Sequence, residues 1–167
     1  MTAAHLHLIL NHLPLFGLLA ALVPLVAAGL FQRSRELVLV GLAMGALFGA
    51  ATPLVVLSGE EAEERIEAGL DAAGRQWLHI HEERAEVVAP LVYVTAGLCL
   101  AGLVALRRRP EWQRPVAGTA SGALLVAVVA LGWVGAAGGQ VAHPELRPGV
   151  VTPSPGHEAG GGDEDFD

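Results

Sequence analysis

Four stretches of the chain, residues 13–31, 37–57, 87–106 and 116–137, carry no ionised side chain, and each is 19 to 22 residues long. At 1.5 Å rise per residue, a helix of that length matches a hydrocarbon core of roughly 30 Å. An unclosed set of strands would leave its backbone amides unsatisfied in lipid, so the blocks are read as helices. The pattern predicts an all-α integral membrane four-helix bundle with up-down-up-down connections. The spans are placed at about residues 8–31, 37–57, 84–106 and 115–139, with an extramembrane loop over 58–83. Together they make one transmembrane domain over 1–147. Composition agrees, since 53% of the residues are hydrophobic and the mean hydropathy is +0.50, against roughly 45–50% apolar residues in soluble domains.

The first block does not read as a cleavable signal peptide. "MTAAHLHLILNH" has no lysine or arginine to form a positive n-region, and no A-x-A-like cleavage site is evident. Cys99 is the sole cysteine and lies in the third apolar block, which excludes an internal disulfide and a cysteine-based zinc cluster. The last segment, 148–167, is rich in glycine, proline and acid, lacks a packable apolar face, and reads as a disordered acidic tail.

All ten basic residues are arginines, and Arg33, Arg35, Arg107, Arg108, Arg109 and Arg114 fall in the two short connections "QRSRE" and "RRRPEWQRP". The positive-inside rule puts those connections in the cytoplasm. The expected location is a bacterial inner membrane, crossed several times, with both termini on the periplasmic or extracellular side. Gly41, Gly45 and Gly49, like Gly118 and Gly122, recur at four-residue spacing and suit close helix packing in lipid.

In this topology the start of the first span, the end of the second, the start of the third and the end of the fourth share one surface. There the histidines gather: His5, His7 and His12, then His79 and His81, then His143. Carboxylates accompany them in "SGEEAEE", "HIHEERAE" and "HPELR". Ionisable groups at a membrane span usually face a wet cavity or the bundle interior and mark a functional site. On a helix His5 and His12 share a face two turns apart and His7 points away from it. At most one of His79 and His81 can aim at the bundle axis.

Three readings of this constellation stand side by side. In the first, histidines from two helices hold haem b for electron transfer, with His12 paired to His81 or His143 as axial ligands. In the second, a zinc, copper or iron ion is bound by a set drawn from His5, His12, Glu61, Glu64, His79, His81, Glu82 and His143. Asn11, Glu145 and Arg147 would support either site. In the third, these are interfacial polar residues of a cofactor-free structural or assembly subunit, with Glu60, Glu61, Glu63, Glu64 and Glu67 forming the solvated face of a short helix.

"HLHLILNHLPLFG", "SGEEAEE", "HIHEERAE" and "GGQVAHPELR", in this order between four apolar spans, resemble a family of uncharacterised small bacterial four-span membrane proteins. That family is similar to predicted membrane proteins beginning with an H-P-x-x-V-H-F-P-like segment, a group sometimes suspected of redox or haem-binding roles. The resemblance covers residues 5–147. It implies a shared site at His5, His12, Glu61, Glu64, His81, Glu82, His143, Glu145 and Arg147. Where the family often has T-G-E-P, this chain has Ser58-Gly59-Glu60-Glu61.

Other function classes find little support. The chain has no G-x-S-x-G, P-loop or dinucleotide fingerprint, so an enzyme is not the expected reading. Its arginines are too few and too segregated for a nucleic-acid partner. The expected partners are the lipid bilayer and either the subunits of a redox complex or further copies of the chain.

Overall fold

The computed structural model describes residues 2–31 and 34–148. Arg33, His157 and the 149–167 part of the tail lie outside them. The fold is all-α. α1 (Ala3–Leu10) and α2 (Leu13–Leu30) form the first span, and α3 (Arg35–Ala50) and α4 (Thr52–Ile66) the second. α5 (Ala72–Arg108) and α6 (Gln113–Ala142) are the third and fourth. All four are long and apolar enough to cross a membrane. Only 28–33% of the most apolar stretch of each span is buried inside the bundle. The remainder, with Phe16, Val23, Leu47, Val94 and Val129 among its exposed side chains, needs an apolar solvent, and a bilayer supplies one.

Proline explains why two spans are broken. Pro14 follows the turn at Asn11 and His12, and Pro53 follows Ala51. Neither has an N–H to continue the ladder, and each sits comfortably in the first turn of the next helix. Both breaks fall toward the histidine-bearing end. Pro24 and Pro90 lie inside α2 and α5, which remain helical across them.

Neighbouring spans run antiparallel, and glycines set their contacts. Gly17 lies under Phe48, Gly41 under Leu25, Gly45 against Cys99, Gly49 against Ala96 and Gly102 against Val116. α2 packs on α3, α3 on α5, α5 on α6, and α6 returns to α2. Leu18, Leu42, Val92, Leu106 and Leu124 fill the centre, fully or almost fully buried. Of the two small-residue patterns expected to pack helices, Gly41, Gly45 and Gly49 do so. Gly118 and Gly122 have no neighbour within 4 Å of where a Cβ would stand.

The segment 58–83, expected as a loop, is mostly helical. α4 carries "SGEEAEERI", a 3-10 turn spans Glu67–Gly69, and α5 starts at Ala72. The 37 residues of α5 measure about 55 Å, so about 25 Å of helix, its first half, projects past a 30 Å core. Asp71 starts it as an N-cap, its carboxylate accepting from the Gly74 N–H at 2.7 Å. Repeated glutamates and the absence of proline after Pro53 let α4 continue beyond the apolar block. The periodic apolar residues Leu78, Ala85 and Val88 do the same for α5.

Candidate functional site

At the histidine-bearing end, α1 packs on α4 and α5 on α6. These two pairs meet chiefly where α4 lies against α5, and α1 and α6 are largely apart. One histidine of each pair turns inward. His7 of α1 sends Nδ1 to the carbonyl oxygen of Val55 on α4 at 3.1 Å, and its ring lies over Gly59, one turn further on. His81 of α5 sends Nδ1 to the carbonyl oxygen of Val134 on α6 at 3.0 Å, and its ring lies over Gly138, again one turn further on.

A carbonyl can only accept, so in both rings Nδ1 carries the proton. In the neutral imidazole Nε2 then keeps its lone pair. Glycine lets each ring lie close against the neighbouring helix. A Cβ at Gly59 would stand 3.0 Å from the His7 Cε1, and one at Gly138 would stand 3.1 Å from the His81 Cε1. Both rings are half-buried and near enough to act on each other electrostatically. Ser58, buried at 5% exposure, donates its hydroxyl to Val55 O at 3.0 Å and lies 3.4 Å from His7 Nδ1.

The arrangement is written twice in the chain. His5-Leu6-His7 corresponds to His79-Ile80-His81, and Val55 with Gly59 corresponds to Val134 with Gly138. Histidine and acceptor are 48 residues apart in the first hairpin and 53 in the second, with an arginine-bearing turn between them each time. The bundle is thus two helical hairpins that each present one pinned imidazole. No repeat of fixed period announces this in the sequence, because the two hairpins differ in length.

The other expected residues take different positions. His5 is exposed, its Nδ1 2.6 Å from the Thr2 hydroxyl. His12 is exposed at the α1–α2 break, edge-on to Phe16 with ring centroids 5.9 Å apart. His79 faces solvent with Glu82 and Glu83 at 3.8 and 3.3 Å, which agrees with only one histidine of that pair aiming inward. Glu61 pairs with Arg65 on the exposed side of α4, and Glu64 is also exposed. Glu82 is half-buried and lies within hydrogen-bonding reach of Glu63. His143 is exposed and 2.9 Å from Glu145. The Glu145 carboxyl, held by its own backbone N–H and by His143, is pulled below the usual carboxylate range. The structure therefore brings together His7, Ser58 and His81 and turns His12 and His143 outward. Asn11 Oδ1 and Thr52 Oγ1, beside the two helix breaks, are buried with no hydrogen-bond partner among the described residues.

Arg147 closes the same end. Its guanidinium, 7% exposed, donates to both carboxylate oxygens of Asp71 at 2.9 and 2.8 Å and to the carbonyl oxygens of Gln140 and Val141. This ties the C-terminal end of α6 to the first turn of α5. The Gly74 N–H, followed by Arg147, holds the Asp71 carboxyl below the usual carboxylate range. Gly74 has to be glycine here, since a Cβ would lie 2.6 Å from Asp71 Oδ1. A signal for Asp71 was available, as D-x-x-G before a helical run is an N-cap pattern.

Among the described residues, no group of three or more histidine, cysteine, aspartate or glutamate side chains is arranged to hold a metal ion. Comparison with family models, with curated proteins and with solved structures finds no match.

Proposed function

We propose that this four-span membrane protein holds haem b at its histidine-bearing end and uses it for electron transfer; His7 and His81 are the residues that would hold it. One observation carries the reading: two imidazoles on separate hairpins are each fixed through Nδ1 to a backbone carbonyl, which leaves both Nε2 atoms free. A hydrogen bond from the other ring nitrogen to a carbonyl is the usual way a ligating histidine is oriented and made more basic. Haem b needs only two protein ligands, whereas a zinc, copper or iron ion without a macrocycle needs three or four. The donor set fits, since both ligands are neutral, half-buried imidazoles and the two pairs of helices are loosely joined there. The histidine and glutamate segments resemble a four-span family similar to a broader group suspected of redox or haem-binding roles, which points the same way.

When bound, the group would supply a one-electron couple. The chain's own part is to present both rings in one tautomer and to seat them on Gly59 and Gly138. The arginine-bearing connections face the cytoplasm in this reading, so electrons would exchange at the outer face with a redox partner. No second histidine set is present at the arginine-bearing end to complete a path across the bilayer.

The test is the absorption spectrum of detergent-purified protein, expressed with haem precursor and read oxidised and dithionite-reduced. The reading predicts a Soret band that shifts on reduction, with a haem to protein ratio near one. Purified protein with no Soret band overturns it. Zinc, copper or iron found stoichiometrically in such a sample would assign the two imidazoles to a metal ion instead.

A further inference from the structure

At the opposite, arginine-bearing end, the surface carries a groove of about 320 Å³ between α2, α3 and α6. Its floor is Leu25, Ala28 and Val38, all buried, and its walls include Gly29 and Gly118. Its α6 edge runs from Gln113 to Ser121, nine residues, or about 12 Å along the helix. The polar side chains Gln113 and Arg114 stand at the membrane-surface end, and below them the lining is apolar except for Ser121 at the far end of the α6 edge. Arg114 is exposed and makes no ion pair among the described residues. Arg35, Arg107, Arg108 and Arg109 outnumber Glu36 and Glu111, the latter ion-paired with Arg109, so the same end is net positive.

We infer that this groove is a binding site for one anionic phospholipid, with its phosphate on Arg114 and the upper part of one acyl chain along Gly29 and Gly118. The polarity gradient along the groove is that of the lipid itself, charged at the surface and apolar one to two turns deeper. Basic pockets between membrane helices select anionic headgroups in this way. The missing side chains at Gly29 and Gly118 are not needed for packing the bundle, because a Cβ at either would meet nothing within 4 Å. They are what makes the groove. The site is independent of the histidine-bearing end.

The same glycines give a clean experiment. The full chain is reconstituted in vesicles of phosphatidylcholine and phosphatidylglycerol at 3:1, re-extracted in mild detergent, and its retained lipid measured by native mass spectrometry. The unaltered protein is expected to keep one phosphatidylglycerol in preference to phosphatidylcholine. Arg114→Gln should lower that preference about fivefold, the effect of one arginine near an anionic surface. Gly118→Leu fills the groove over its apolar floor, from a position where the first side-chain carbon meets no neighbour, and should abolish retention while α-helical circular dichroism is unchanged. Millimolar inorganic phosphate should not compete, since the chain contact is part of the binding. Equal retention of the two lipids overturns the inference, and so does retention that survives Gly118→Leu, which would make the arginines a diffuse surface attraction only. Displacement by free phosphate overturns it as well.

Discussion

Gly49 gives the sharpest test of how the bundle is held together. A Cβ placed there would stand 2.7 Å from the Ala96 Cβ and 3.4 Å from the Ala96 Cα. Carbon atoms in contact prefer about 3.5–4.0 Å, so α3 and α5 would have to separate by about 1 Å. Alanine has no far end that can rotate aside, so the backbone must move. Overpacking of this kind costs about 1–3 kcal/mol. Gly→Ala also stabilises a helix by up to about 1 kcal/mol, and that contribution must be removed before the packing cost can be read. Gly97→Ala, on α5 where a Cβ meets nothing within 4 Å, supplies the correction. Gly49→Ala should therefore be less stable than Gly97→Ala by about 1–3 kcal/mol, with the propensity effects largely cancelling. The assay is reversible unfolding by sodium dodecyl sulfate in mixed maltoside micelles, followed by circular dichroism. Equal stability of the two variants would refute the packing of α3 on α5 through Gly49.

Further outcomes follow from the histidine-bearing end. Gly138→Leu should drive the His81 ring off Val134 O and reduce bound haem at least tenfold with helicity retained, as measured by pyridine haemochrome; full haem content would mean the ring seat is dispensable. Because Asp71 is held low in the folded protein, its clasp with Arg147 is fully present above about pH 5, beyond the unfolded carboxylate value near 3.9. It is lost as pH falls through the lower folded value. Amide protection factors near residues 71–75 and 140–147, with the intrinsic pH dependence of exchange divided out, should fall on acidification, and Asp71→Asn should make them low and nearly independent of pH over the same range. Arg84 lies 4.4 Å from the Trp133 ring centre and donates to Trp133 O, so Arg84→Gln should shift tryptophan emission. An unchanged spectrum would count against that contact.

The architecture was legible because a bilayer is so restrictive a solvent: four blocks of the right length, free of charge, admit little besides four helices. Of the prolines at 14, 24, 53 and 90, Pro14 and Pro53 mark breaks because each opens a new helix, whereas α2 and α5 stay helical across Pro24 and Pro90. The continuation of α4 and α5 past the membrane was less legible. Length was read from hydropathy, and "SGEEAEERI" loses hydropathy without losing helix propensity. At the site, seven-residue spacing drew attention to His5 and His12, and the face choice then turned on rotation. Spacing says which residues share a helix face but not which face meets the bundle. Here the inward face is that of His7, and the glycines at 59 and 138 decide it by leaving room for a ring against a neighbouring carbonyl. The sequence signal existed in the doubled His-x-His and the doubled Val-x-x-x-Gly, but neither means anything until the chain is folded into hairpins. Arg147 was marked as a supporting residue, and its partner Asp71, seventy-six positions away, emerged only from the fold.

The most direct measurement of the central claim compares four single variants purified in parallel and read by reduced-minus-oxidised absorption. His7→Ala and His81→Ala should each lose the haem signal at least tenfold, while His12→Ala and His143→Ala should keep it at the level of the unaltered protein. Loss in His12→Ala or His143→Ala with His7→Ala intact would contradict the assignment of the inward pair as the ligands.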